Sequence, residues 1–252
     1  MRYRRSLGAV AALLCAGYLL LDRLGHQWGA SDEEVFASMP GDDAVPHPIV
    51  ETTHAVTIHA PAAAVWPWLM QMGYGRAGWY TDGWWYRQVD RFIWRQETPR
   101  PDRIVPEWQN MHVAGVVPDG PPGTAYFTVL MLEPNRLLGL YSTTHGTVWL
   151  PRVLRDNPRW GLHSELIWTF TLQELAPDKT RLILRMRATG GPALYRALVG
   201  KLLAPADFLV ARMMLLRLRQ RVEGARAPSR LEPSLKPTYA PDQTAAREAM
   251  QA

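Results

Sequence analysis

Cysteine is almost absent. Cys15 is the only one in 252 residues, so no internal disulfide can form and the fold cannot depend on oxidation. Lysine is scarce too: 3 Lys stand against 25 Arg, within a net charge of +5. The arginines are spread along the chain, dense only at Arg2, Arg4 and Arg5 and again between Arg212 and Arg221. A nucleic-acid binder usually gathers its basic residues into one patch or carries a reading motif, and neither is present. No nucleic-acid partner is expected. The seven histidines (His26, His47, His54, His59, His112, His145 and His163) show no metal-ligand spacing, and there is no cysteine pair to help them. No metal and no cofactor are expected. His54 and His59 lie an odd number of positions apart on one strand, facing opposite sides, and read as surface or sheet-edge residues. Residues 73–78, GYGRAG, match a dinucleotide-binding pattern only superficially, because they follow a helix rather than a strand.

Long apolar runs are also missing. Residues 6–21 are uncharged and mostly apolar, 16 in all, preceded by three arginines and ended by Asp22 and Arg23. A spanning helix wants about 20 residues and a secretory apolar region about 7 to 15. No good small-residue pair for cleavage follows. The expectation is an uncleaved signal-anchor over residues 1–24, with the N-terminus cytoplasmic and the domain outside the cytoplasm. A cleaved signal and a buried or surface helix are the alternatives. Residues 25–49, rich in acid and proline, read as an extended linker that either floats or packs on the domain. Residues 225–252 read as a disordered tail.

Between the ends lie about 180 residues, enough for one domain with a core. Residues 54–59 alternate, with Val56 and Ile58 on one side, and read as a strand. Pro61 suits the first turn of a helix over residues 62–72, with Val65, Trp68, Leu69 and Met72 on one face. Gly73, Gly75 and Gly78 open the turn that follows. Trp79, Tyr80, Trp84, Trp85 and Tyr86 then crowd into eight positions. A short helix is expected at 89–93, then strands at 111–117, 126–133, 137–142, 165–175 and 180–188. Arg181, Arg185 and Arg187 alternate with Leu182, Leu184 and Met186, which marks a sheet with one wet face. Residues 193–203 read as a short helix, with Pro205 beginning a second, longer one over 206–222. Residues 143–163 read as a long loop of the kind that serves as a lid or contact surface.

The stretch APAAAVWPWLMQMGYGRAGWY, followed by DRIVPEWQ at residues 102–109, resembles the START-like, helix-grip superfamily. More narrowly, it resembles bacterial proteins grouped as SRPBCC or polyketide cyclase/dehydrase-like. The resemblance covers roughly residues 40–223 and places the domain at residues 50–224. It implies an α+β fold in which a curved antiparallel sheet wraps a long C-terminal helix around a hydrophobic cavity. The implied ligand is a hydrophobic small molecule or lipid, and the chain's 11 tryptophans fit an aromatic-lined pocket. Candidate lining residues are Trp68, Trp79, Tyr80, Trp84, Trp85, Trp108, Gln109, Tyr126, Tyr141, Trp168 and Met213, although a tryptophan is as often plain core. Members of the cyclase kind use a few polar groups to assist enolisation or dehydration. By that resemblance Asp82, Glu107 and His112 are the candidates for acid–base work, with helix capping and loop hydrogen bonds as their simpler roles. Arg76 and Arg103 are candidates for an anionic head group. The expected function is a membrane-tethered binding protein. The alternatives are a cyclase or dehydrase enzyme and a non-catalytic interaction domain at the membrane.

Overall fold

The computed structural model describes residues 2–81, 101–147, 151, 153 and 157–225, with side chains described from residue 13 onward. The expected helix at 89–93, residues 148–150, 152 and 154–156 of the expected 143–163 loop, and the tail beyond 225 lie outside the described residues. The chain is α+β. A seven-stranded mixed sheet has the order β1-β2-β7-β6-β5-β4-β3. Its strands are β1 (Gln27–Trp28), β2 (Val50–Ile58), β3 (Val116–Pro118), β4 (Tyr126–Glu133), β5 (Leu137–Ser142), β6 (His163–Ala176) and β7 (Lys179–Gly191). Only the β1–β2 pair is parallel. The helices are α1 (Arg2–His26), α2 (Asp32–Phe36), α3 (Ala62–Met70) and α4 (Ala193–Gly224). The long final helix against a mostly antiparallel sheet fits the helix-grip arrangement.

One sheet face carries the core. Ile58, Leu138, Leu140, Phe170, Leu182, Leu184 and Met186 are buried together with α3 and with Met214, Leu215 and Leu218 of α4. Period-two alternation places them there, as β-strand geometry requires.

The opposite face was expected to be wet, and it is not. The segment between α1 and β2, expected as an extended linker, lies across it and holds α2 and a 3-10 turn at Asp42–Ala44. Ser31 and Glu34 close α2 with a reciprocal capping box. The arginines of β7 draw this segment down. Arg185 is 2% exposed. It donates to Thr53 Oγ1 (3.2 Å), Ala37 O (2.7 Å), Asp42 Oδ2 (3.0 Å), Glu34 O (2.8 Å) and Val35 O (2.7 Å). That matches the five N–H groups of a guanidinium. Arg181 grips both Glu34 oxygens at 2.7 Å, and Arg187 donates to Asp42 O at 2.6 Å. The hydrogen bond from Arg181 holds the Glu34 carboxyl below its usual range. The charge pattern was read correctly, but its partner is this segment rather than water.

Residues 193–224 form one helix rather than two, with Pro205 inside it. A proline has no N–H for the carbonyl four residues back. Here that carbonyl belongs to Lys201, and it accepts instead from the Tyr18 hydroxyl of α1 at 2.9 Å. The same crossing brings Gly25 onto Ala204, where an added Cβ would sit 2.6 Å from the backbone carbonyl. So α1 packs on α4 at the point where the proline interrupts the helix. Among the described residues no helix is long and apolar enough to cross a membrane.

Replacing Arg185 with methionine removes one side of this clamp, takes the donor from three carbonyls and leaves the Asp42 carboxylate with only Met39 N and Arg187 among the described residues. We expect a loss of about 3–5 kcal/mol, the usual size for breaking a buried charged network. Urea unfolding measures it, and limited proteolysis should show new cleavage within residues 29–45. Lowering the pH should weaken the Glu34–Arg181 arm in the same assay. Its contribution is present above the unfolded pKa of Glu34 and is lost as the pH falls through the lowered folded value.

Candidate functional site

Sheet and α4 part company near the start of the helix. A cavity of about 540 Å³ opens there, within the range of small-molecule sites. Its walls come from the Gly-rich segment after α3, Asp119 just past β3, the turn after β5, the start of β6, the end of β7 and α4. The glycines after α3 make this possible. Gly73 has φ 117° and bridges to Gly78, folding Trp79 and Tyr80 back over the sheet. A side chain on Gly73 would press Val117 at 2.8 Å.

The inner wall is aromatic. Trp168 of β6 stacks on Phe127 of β4 (5.2 Å, 25°), and Trp79 meets both edge-on at 5.4 Å. Such pairs are preferred geometries of the ring quadrupole. The cluster ends on His145, whose ring lies 4.1 Å from that of Phe127. The indole N–H groups of Trp79 and Trp168 are themselves closed off from the open volume and have no acceptor among the described residues.

Two histidine-backed carboxylates face this apolar space. Asp119, just past β3, receives His145 Nε2 at 3.0 Å, and His145 Nδ1 lies 2.7 Å from Ser142 Oγ. Asp207 of α4 is 5% exposed and lines the cavity. Its Oδ2 accepts from Thr52 Oγ1 at 2.6 Å and lies 3.1 Å from His54 Nε2. Its Oδ1 accepts no hydrogen bond from any described residue. His54 Nδ1 is buried with no partner among the described residues. A bare lone pair there costs less than a stranded N–H, which favours the proton on Nε2, pointed at the carboxylate. His54 was expected at the surface or a sheet edge, and it is fully buried. Its parity with Val56 was right, but α4 covers that face through Phe208, 6.3 Å from the imidazole.

Tyr195 of α4 closes the His145 end. Its phenol packs directly on Gly146, so closely that no side chain fits at that position. Ser164 Oγ accepts from Gly146 N at 3.2 Å, and Ser164 also hydrogen-bonds Tyr195. Burial pushes the Tyr195 hydroxyl above its ordinary pKa, so it is a proton-bearing donor at neutral pH.

Of the expected lining residues, Trp79, Tyr80 and Trp168 line the cavity. Trp68 and Trp108 are core, 2% and 1% exposed. Tyr80 joins them to the site, since its hydroxyl donates to Trp68 O at 2.7 Å. Gln109 donates to Pro67 O at 3.1 Å and pins a loop. Tyr126, Tyr141 and the half-buried Met213 are not on the cavity wall. On β5, Tyr141 turns to the far face beside Glu165, where burial raises its pKa. Glu107 and His112 are exposed, away from the cavity. Asp82, Trp84 and Trp85 lie outside the described residues. Arg76 does not line the site: it donates to Met70 O at 2.8 Å and to Trp108 O, and burial pushes its pKa down to about 10. Arg103 is not on the wall either. Asp119, Ser142, Ser164, Tyr195 and Asp207 were not anticipated, and His145 was noted only as one of seven histidines.

No family model and no curated protein matches the chain. Several solved structures resemble it in shape. A protein of Mesorhizobium loti is 18% identical, with 69% of this chain and 98% of that one covered and a TM-score of 0.36. CalU16 of Micromonospora echinospora is 20% identical, with 70% and 86% covered and a TM-score of 0.29. DynU16, a protein of the dynemicin biosynthetic locus, is 18% identical, with 69% and 47% covered and a TM-score of 0.31. Likenesses at this level carry no argument about function, which rests on the cavity itself.

Replacing Asp207 with alanine leaves Thr52 and His54 without their buried acceptor. Urea unfolding should report a loss of about 3–5 kcal/mol, and the double variant with His54→Leu should recover part of it.

Proposed function

We propose that this chain is a binding protein for a hydrophobic small molecule or lipid, held between the sheet and α4 and tethered to a membrane through α1. The observation that carries the binding reading is the cavity, about 540 Å³ and walled by stacked aromatic rings with few polar groups. The tether is supported by the surface of α1. Leu13, Leu14, Leu19 and Leu20 are 59–73% exposed, and Arg2, Arg4 and Arg5 precede them. Leucines left uncovered on the side of α1 away from α4 suit hydrocarbon rather than water. Leu198 and Leu202 of α4 are 56% and 63% exposed, and both also line the cavity, so its rim continues the same apolar surface.

A second reading, proton-transfer chemistry of the cyclase or dehydrase kind, is favoured by one observation. Asp119 with His145, and Tyr195 with Ser164, converge at one end of the cavity. Tyr195 would give a proton and Asp119 would take one. Once a ligand is known, turnover lost in Asp119→Asn with binding kept would establish it.

Native mass spectrometry of the full chain, released gently from detergent, tests the binding reading. A co-purifying apolar molecule is the expected outcome. Ala206 sits at the mouth and is exposed, so Ala206→Trp should block entry without harming the fold, and the adduct should vanish. An apo mass for the parent chain, unchanged after incubation with lipids and aromatic metabolites, would overturn the reading. For the tether, flotation with phosphatidylglycerol-containing vesicles should carry the chain upward. Leu13→Gln, Leu14→Gln and Leu20→Gln together should leave it at the bottom of the gradient.

A further inference from the structure

The cavity has a charge preference that its apolar walls conceal. Resting on the binding reading above, we infer that it selects a hydrophobic molecule bearing a cationic nitrogen, or failing that a hydroxyl, and rejects one bearing a carboxylate or phosphate. Among the described residues that line it there is no lysine and no arginine, although the chain carries 28 of them. Two carboxylates face it, Asp119 and Asp207, while the Glu165 side chain turns to the far face beside Tyr141. The histidines in contact with them are His54 and His145. The only positive charge the described lining can carry is an imidazolium already paired to one of them, so the charge a ligand meets there is that of the carboxylates. Burying an anion beside that charge in a poorly hydrated pocket is unfavourable, whereas a cation is attracted there.

Asp207 gives this preference a defined point of contact. Its Oδ2 is already used by Thr52 and His54, which hold the carboxylate in place from behind. Its Oδ1 accepts nothing from any described residue, although the residue is 95% buried by its 5% exposure and lies on the cavity wall. An ionised carboxylate oxygen can only accept. Its natural complement is an ammonium or a hydroxyl on the ligand, and a charged donor makes the stronger bond. Asp119, held by His145, offers a second acceptor at the other end, where the aromatic cluster ends. The rings of Trp79 and Trp168 reinforce the same choice, because aromatic faces attract cations.

The test uses three probes of one chain length: dodecylamine, dodecanol and dodecanoate, each titrated below its micellar concentration into the full chain and followed by tryptophan fluorescence. We expect affinity in the order amine, alcohol, carboxylate, with the amine at least about tenfold tighter than the carboxylate. The chain's overall charge of +5 would bias adventitious binding the other way, towards dodecanoate. Asp119→Asn and Asp207→Asn should each lower amine affinity by about tenfold and leave dodecanol nearly unchanged. Asp119 is part-exposed, so its variant stays informative if Asp207→Asn unfolds. Dodecanoate binding as tightly as dodecylamine, or equal binding of all three, would overturn the inference and leave the cavity reading standing. Binding of none of the three would overturn both. Unchanged amine affinity in a folded Asp119→Asn and a folded Asp207→Asn would also overturn the inference.

Discussion

The guanidinium of Arg185 organises this molecule. Burying a cation that cannot shed its proton requires an acceptor for every N–H. Five acceptors surround it, and four belong to the segment between α1 and β2. A strand interior cannot provide so many oxygens, because its carbonyls are committed to the ladder. A segment of short turns can, since its carbonyls are free to point inward. The demand of one side chain therefore folds residues 29–45 onto the sheet. Gly41 completes the fit: its φ of 90° lets the chain run against Met131 and Ile167, where a Cβ would come within 2.6 Å.

That anchoring propagates to the far side of the domain. With residues 29–45 fixed and β1 paired to β2, α1 has little freedom in where it ends. It lies against α4 at Gly25 and Ala204, and Tyr18 takes up the carbonyl that Pro205 leaves unpaired. The helix can run through its proline because another element completes its hydrogen bonding. Beyond that crossing α4 rises from the sheet, and the cavity opens beneath its first turns. The clamp on one face and the mouth on the other are thus mechanically connected through α1.

The strands were legible wherever alternation was strict. Residues 126–133 and 137–142 coincide with β4 and β5, and β6 and β7 extend their expected spans by only a few residues at either end. Local periodicity reports which residues share a face, but not what covers that face. His54 and Arg185 show the two forms of this gap. Both were placed on the correct side of their strands, and both were given to water. Their actual covers, Asp207 and the turn at Asp42–Ala44, lie about 150 residues away in sequence. Pro205 was read as a break because the missing N–H is local while the compensating Tyr18 hydroxyl is not. The site failed to show for the same reason. Asp119, His145 and Tyr195 sit in three separate stretches with nothing in common locally. The one usable hint was Gly146 beside His145, a residue without a side chain in the turn after a strand, which is where another group can approach closely.

Charge is sorted between the two faces of the sheet, and the sorting follows from the chemistry of the groups. Arg181, Arg185 and Arg187 all emerge on the outer face, where backbone oxygens are plentiful. The inner face has few free carbonyls, since α4 and the strands consume their own. A guanidinium there would be left with unmade bonds. A carboxylate needs only two or three donors, and a hydroxyl with an imidazole supplies them, as Thr52 and His54 do for Asp207. An apolar interior between sheet and helix can therefore accommodate acids on its wall far more readily than arginines. A basic chain consequently carries acids rather than arginines on the described wall of its cavity.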